Sequence, residues 1–597
     1  MTQHSLAVEL RKTDLLIIGS EGAGCMAAIG AESFPVSVLM VTKGQWGRSG
    51  ATVTGAADFS VDSRTLKEEF GFPETNGNDS KELFAQDTVK GGKYLNNQKL
   101  VRIMVDQAPD RLRRLKAWGA EFSGRVIHPP GHTFPRGVFF RGPSFVQVIK
   151  RRTLSVPRLS LLSNTVVLDL IKDENRVIGA LAWNMETGTL CLIQAKAVVL
   201  AAGGGMAIYK HSTAPSELTG DGFAMAARAG ASLVDMEMPM FFPGLLAWPP
   251  ALRKVQAPYH LASSGRIYGH MYNKRGQRFM QKWDPEHMEQ TTRDILAVAM
   301  YSEMLAGNTG THDGVFVSIK HLPDDLIDLI VEWDPGGSLK RYGFGKTYFD
   351  MKNYLPDLKR FSLEAVAACH FSNGGVLIDE TCRTELEGLF AAGEVTGGVH
   401  GGNRLSGNAY AEFFVFGVIV GENAARWARE QPERPIRPSL LDEAVRPYAA
   451  IYERTKGANG FSMRKKLQEL AWEKIGIVRS RKGIEEAIQE ARVAQAEIEA
   501  EMAVSTKTLV MNQEFLAALE ARNIALNIEM IATGALLRSE SRGSHYLSDN
   551  PKTDFTNWTK NIKMKRTGDR IETRVESIVE VGIQPPMGLL PYGQTEV

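Results

Sequence analysis

Along the first fifty residues the apolar positions come as unbroken runs rather than as an alternation. Leu15 to Ile18 follow Asp14 directly, and "VSVLMVTKG" (36–44) repeats the pattern after a stretch of small residues from Gly22 to about Glu32. Such runs read as strands buried on both faces, and the small-residue stretch reads as the helix of a β-α-β unit. Helical spacing follows in "QKLVRIMVDQAPDRLRRLKAWGA" (98–120). Then come three strand-like segments, "LSLLSNTVVLDLI" (159–171), "RVIGALAWN" (176–184) and "TLCLIQAKAVVLAAGGG" (189–205), with "METG" (185–188) as a hairpin turn. Val198 to Ala201 is a second buried strand that also ends in glycines.

From Pro243 to Leu355 the text changes to prolines, tryptophans and short helices, as in an insertion. The α/β pattern returns at "GGVLIDE" (374–380) and "EGLFAAGE" (387–394). After Glu430 long helices dominate, in "GIEEAIQEARVAQAEIEAEM" (483–502) and the stretch 509–541, and a polar, turn-rich tail runs from Gly543 to Val597. The expectation is an α/β protein with segments 1–243, 244–355, 356–432, 433–542 and 543–597 as its units.

A length of 597 residues is too great for one core and requires several domains. The 70 basic and 68 acidic residues leave a net charge of +2, which gives no electrostatic reason to expect nucleic acid. Cys25, Cys191, Cys369 and Cys382 lack C-x-x-C spacing, so neither a zinc nor an iron–sulfur site is expected on this chain. They do not form a disulfide framework, and a reducing compartment, the cytoplasm, is the expected location. The longest apolar run, "AYAEFFVFGVIVG" (409–421), is broken by Glu412, so direct membrane insertion is not expected.

The loop after the first strand reads "GSEGAG" (19–24). A phosphate-cradling turn wants G-x-G-x-x-G, and Gly19 and Gly24 suit its ends, but Glu21 holds the middle position. An ordinary turn is the alternative on this loop alone. Gly22 keeps glycine inside the loop, so Glu21 is expected to face away from phosphate, toward a cation or solvent. Thr42 stands at the end of the second strand, where an NAD site would place an acid for the ribose.

Four longer stretches occur in order: "KGQWGRSGATVTGAAD" (43–58), "VVLAAGGGMAIYKHSTAPSELTGDGFAMAARAGASLVDMEM" (198–238), "HFSNGGVLIDE" (370–380) and "GLFAAGEVTGGVHGGNRLSGNAYAEFFVFG" (388–417). "NKRGQRFM" (273–280), "TTRD" (291–294) and "LLRSESRGSH" (536–545) extend them. Together they resemble the flavoprotein subunits of succinate dehydrogenase and fumarate reductase, a family that includes L-aspartate oxidase and the adenylylsulfate reductase flavoprotein. The resemblance implies a Rossmann-like FAD-binding domain with an inserted α+β capping domain, then a helical domain and a C-terminal extension. It implies FAD held by Gly19, Gly22, Gly24, Thr42, Lys43, Ser49, Gly50, Thr52, Ala202, Gly203, Asp221, Glu394 and the "RLSGN" turn with Arg404, Ser406 and Asn408. Many members carry a flavin-linking histidine after the "RS" of this loop. Gly50 follows Ser49 here, so the FAD is expected to be non-covalent.

The resemblance further implies Arg293 as acid/base and His370 and Arg404 as a carboxylate clamp. Taken alone, Arg293 reads as a helix-start arginine paired with Asp294. Two departures stand out. "EMPMFFPG" (237–244) puts Phe242 where dicarboxylate enzymes of the family have a histidine, and Gly244 at a threonine. "LASSGRIYG" (261–269) puts Ala262 and Gly265 where a glutamate–arginine proton relay is usual, with Arg266 one position away. An apolar Phe242 leaves a second carboxylate unpaired. The expected substrate therefore has one carboxylate or other anionic group, is reduced or oxidised across a carbon–carbon bond, and exchanges electrons with an iron–sulfur partner subunit, which would also supply any peripheral membrane attachment. The alternatives are an adenylylsulfate-reductase-like enzyme, a stand-alone aspartate-oxidase-like enzyme, and an electron-transfer FAD subunit with a degenerate pocket.

Overall fold

The computed structural model describes residues 8–55, 58–140, 144–248, 256–264, 269–333 and 356–594. The first apolar run forms the strand Val8–Ile18, and the small residues form the helix Gly22–Gly30. The strand pairs in parallel with Val38–Val41 on one side and Thr189–Leu200 on the other. Leu159–Leu162 and Leu389–Ala391 add parallel edges. The expected hairpin over "METG" joins Arg176–Asn184 to Thr189–Leu200 antiparallel, with Thr165–Asp173 beyond it. The seven strands make a mixed sheet. The helix Gly22–Gly30 packs against the long helix Asn408–Glu430, which carries the apolar run broken by Glu412.

Residue 19 must be glycine for two reasons. Its φ of +106° is strained for any other residue, and a Cβ there would lie 2.0 Å from the Ala201 carbonyl oxygen. The loop and the second strand's glycine turn therefore touch, and both open at the same end of the sheet.

A second sheet runs Pro239–Trp248, Leu363–Ser372, Val315–Ser318, His270–Tyr272, all antiparallel. It has its own core around Phe242, Leu246, Tyr259, Leu296 and Val317. Its strands extend past the expected boundaries: the edge at 243 falls inside Pro239–Trp248, and the edge at 355 leaves Leu363–Ser372 on the far side. Four helices, Pro438–Glu453, Gly460–Ile475, Arg481–Glu501 and Gln513–Leu537, follow as the helical region.

The tail contains more order than its polar text suggests. Lys560–Thr567 and Arg570–Ser577 form a hairpin that adds to Leu233–Val234 and Gly375–Val376. Buried Asn561 donates to Asp235 Oδ2 at 2.6 Å, which fixes the register.

Candidate active site

At the open end of the large sheet lies a narrow cleft lined by Gly19, Thr42, Lys43, Ser49, Ala202 and Asp221. Lys43 follows the second strand, and Asp221 opens the helix Asp221–Ala229. The Lys43 ammonium reaches Asp221 Oδ2 at 2.9 Å and Glu520 Oε1 at 2.7 Å. Burial alone would lower its pKa, but the two carboxylates outweigh that and hold it above its ordinary value. Asp221 Oδ1 accepts from Thr219 and Asn523. Both residues expected to hold the cofactor line this cleft, and their charged groups are bonded to each other and to Glu520.

Glu21 refines the expectation of a cation partner. Its half-buried side chain is turned to a backbone N–H instead. Oε2 accepts the Thr52 N–H at 2.7 Å, and Thr52 Oγ1 in return accepts the Gly22 N–H at 3.2 Å. The carboxyl occupies the space beside Gly50, where a Cβ would lie 0.8 Å from Oε1. Burial raises its pKa to about 7, with the Thr52 N–H opposing and the charge of Glu217 adding to the rise. Gly50 donates its N–H to Glu217 Oε1 at 2.7 Å. The Glu21 carboxyl thus ties the glycine loop to the short helix Ala51–Thr54, and the Glu217 carboxyl ties Gly50 to the segment before Asp221.

The cleft shares Glu21 and Ala201 with a cavity of about 810 Å³. Gly22, Thr52, Gly203, Glu394, Arg404 and Ser406 line it, together with Arg293, His370 and Phe242. Gly24 and Asn408 stand behind it. A Cβ on Gly24 would meet the Gly19 carbonyl, and the Asn408 amide donates to Thr88 Oγ1. Burial raises the Glu394 carboxyl to about 8, although the Ser372 N–H opposes the rise.

The far end of the cavity collects cations. Arg293 opens the helix Arg293–Leu305. Asp294, the partner expected from the sequence alone, is paired instead with Lys93 at 3.3 Å. Arg293 Nε donates to the Tyr259 hydroxyl at 3.2 Å and Nη2 to Ser406 Oγ at 3.1 Å, while Nη1 has no partner among the described residues. Its guanidinium lies 5.4 Å from the Phe242 ring centroid and 5.3 Å from that of Tyr259. Arg404 is buried, with its guanidinium 4.5 Å from the Phe371 ring and its Nε unpartnered among the described residues. Burial and then Arg293 pull its pKa down to about 10, so it keeps its charge at neutral pH. His370 Nδ1 is engaged by the Thr213 hydroxyl at 2.8 Å. Burial, then Arg293 and Arg404, hold His370 well below its ordinary value, so it is neutral and leaves Nε2 for the cavity.

Phe242 stands among these groups, 4.8 Å from the His370 ring and 4.5 Å from that of Tyr259. Ala262 is fully buried and has no group that could pass a proton. Gly265 and Arg266 lie outside the described residues. Sequence reasoning missed Tyr259, Thr213 and Asp58. Tyr259 sits in the irregular part of the insertion with no motif around it, whereas Asp58 closes the stretch 43–58 and was within reach.

An extended dinucleotide fits this arrangement. Two glycine turns meet at the sheet's end, cleft and cavity are continuous, and the helices starting at Gly22 and Asn408 offer backbone N–H groups. Comparison with known proteins agrees. Residues 14–410 match the FAD binding domain family, and 464–586 match the fumarate reductase flavoprotein C-terminal family. A fumarate reductase (CoM/CoB) chain from Methanothermobacter marburgensis is 33% identical over 94% of this chain and 98% of its own. Quinol fumarate reductase of Escherichia coli superposes with a TM-score of 0.83 at 25% identity, covering 97% of this chain and 98% of that one. Sdh1 of Mycobacterium smegmatis gives 0.82 at 28% identity, covering 96% and 95%. The chain belongs to the fumarate reductase and succinate dehydrogenase flavoprotein family, FAD-dependent oxidoreductases acting on a CH–CH group.

Proposed function

We propose that this chain reduces or forms a carbon–carbon double bond next to a single carboxylate, with an apolar group at the substrate's far end. Two guanidiniums carry this reading, because Arg293 and the buried Arg404 line one cavity beside a neutral histidine and each has an atom without a partner among the described residues. Buried cations with no counter-ion are costly, and an anionic ligand offsets that cost. Arg404 and His370 Nε2 are the clamp, and Arg293 is the proton donor and acceptor. FAD supplies the hydride chemistry. Phe242 holds the place where a second carboxylate would need a cation, and its ring favours an aliphatic or aromatic group there.

Electrons are exchanged with an iron–sulfur partner subunit in this reading. The four cysteines are buried and free, and the described residues contain no group of metal-ligating side chains. Attachment to a membrane is indirect, through partners, since no helix among the described residues is long and apolar enough to cross one. The FAD is non-covalent, because Gly50 offers no nucleophile and Glu21 fills the space beside it. Precipitating the protein in acid should release all flavin to the supernatant, and yellow colour in the pellet would refute this point.

Fumarate itself is the second reading, supported by the relatives' names. Anaerobic stopped-flow spectra decide between the two. The reduced flavin is mixed with fumarate, crotonate, cinnamate or adenylylsulfate, and its reoxidation is followed. The first reading expects crotonate or cinnamate to act faster than fumarate. Fast turnover of fumarate that survives Phe242→Ala would sink it.

A further inference from the structure

Arg293 does not end its chain of hydrogen bonds at Ser406. Ser406 Oγ donates onward to Asp58 Oδ2 at 2.8 Å. Arg293, Ser406 and Asp58 all line the same cavity, whose rim includes the exposed Arg125. We propose that Asp58 and Ser406 are the proton relay of Arg293, taking the role left open by Ala262. The inference rests on Arg293 being the acid/base of the preceding section.

In the reducing direction the π bond of the substrate breaks and two C–H bonds form. One carbon receives a hydride, the cofactor's contribution, and the other receives a proton from Arg293. The two ends of the guanidinium divide this work. Nη1 is unpartnered among the described residues and gives its proton to carbon, while Nη2 faces Ser406 and takes the replacement. Loss of that proton leaves a neutral guanidine with its free lone pair on Nη1, so a proton shifts from Nη2 to Nη1, carried by water in the cavity, and Nη2 becomes the acceptor that faces Ser406. The observed polarity, guanidinium to hydroxyl to carboxylate, belongs to the state in which Arg293 holds its proton. Once the proton has gone to substrate, Asp58 takes up a proton from water at the cavity rim and reverses both bonds. Its O–H donates to Ser406 Oγ, and the Ser406 O–H donates to Nη2. Transfer along these bonds restores the charged guanidinium and returns Asp58 to a carboxylate. The oxidising direction runs the same steps backwards.

Neighbouring contacts separate this role from simple loop support. The Ser406 backbone carbonyl is held by Ser60 Oγ at 3.1 Å and by His132 Nε2 at 3.1 Å, neither of which involves the hydroxyl. Ser60→Ala therefore disturbs the loop and leaves the relay whole, whereas Ser406→Ala does the reverse. Tyr259 is the competing route, through Arg293 Nε.

The experiment is flavin reoxidation at saturating acid, in H2O and D2O, with the acid of the panel above that reacts fastest. Ser406→Ala and Asp58→Asn should each slow the reaction at least about 10-fold and enlarge the solvent isotope effect. The enlarged isotope effect separates a relay from a change in FAD binding, and Asp58→Glu should recover part of the rate. Ser60→Ala should behave as wild type. If Arg293→Gln abolishes reoxidation while Ser406→Ala and Asp58→Asn are harmless, the relay is wrong and the acid/base assignment stands. Loss on Tyr259→Phe with those two variants harmless would move the route to the phenol. Reoxidation that survives Arg293→Gln, or a panel in which no acid reoxidises the flavin, would overturn the underlying reading and the relay with it.

Discussion

At the cleft around Lys43 the lysine's charge is answered by the protein, and at the cavity around Arg293 and Arg404 guanidinium atoms are left unanswered. Both places are buried, and both lie along one continuous groove. Lys43 meets Asp221 and Glu520 directly, and Arg464 adds a second cation to Glu520. Arg293 and Arg404 meet hydroxyls, a carbonyl and aromatic faces instead. A buried network closed on itself serves the fold, whereas buried donors left open serve something that arrives later. The contrast separates groups that shape the groove from groups that act in it.

The sharpest way to break this contrast is to damage each end and ask what is lost. Lys43→Met strands the half-buried Asp221 carboxylate and leaves Glu520 with Arg464 alone, and should cost about 3 kcal/mol of stability, seen as a large fall in Tm and loss of retained FAD. Arg404→Met strands nothing comparable. It should lower kcat/KM by about 10²–10³ while the Tm of the FAD-loaded protein stays put. Equal stability losses at the two ends would refute the distinction.

Phe242→His sharpens the open end further. A cationic or donor side chain at this place should shift preference toward fumarate over crotonate by about 10-fold in kcat/KM, near the value of one added hydrogen bond to a charged group. A further test concerns Glu412, buried beside the cavity with its carboxyl raised by burial to about 8 from an ordinary 4.5. In the folded protein it is neutral at pH 7, while in the unfolded chain it is ionised. Wild-type stability is therefore lost as pH rises from about 4.5 to about 8. Glu412→Gln does not titrate, so its Tm in the apoprotein should gain on wild type across that interval and keep a constant lead above it. A lead that shrinks with rising pH would contradict the assignment.

The sheet end of the groove was legible because its determinants are local. Apolar runs, a turn and small residues follow one another in a short stretch of chain, and each carries its own periodicity. The open end was not, because its geometry joins distant segments. Arg293 meets Ser406 across 113 positions, and Ser406 meets Asp58 across 348. No spacing rule connects them. Glu21 was misplaced for a similar reason. Its destination, the Thr52 N–H, lies on the short helix Ala51–Thr54, whose approach depends on Gly50 having no side chain. The tail hairpin escaped notice because "KNIKMKRT" (560–567) alternates lysines with apolar residues on a strand that buries only part of its length.

The sheet made by that hairpin sets a clock on the molecule's birth. Asp235 and Asn561 are bonded to each other but are made 326 residues apart. A ribosome that has passed Gly543 has already strung together both ends of the cofactor groove, but not the strands that brace Leu233–Val234. The nascent chain must hold that strand edge unpaired on its hairpin side until Lys560–Thr567 emerges, and firm capture of the cofactor belongs to the finished polypeptide. A stop codon just ahead of Lys560 should yield a chain with all its chemistry in place and no frame to hold it.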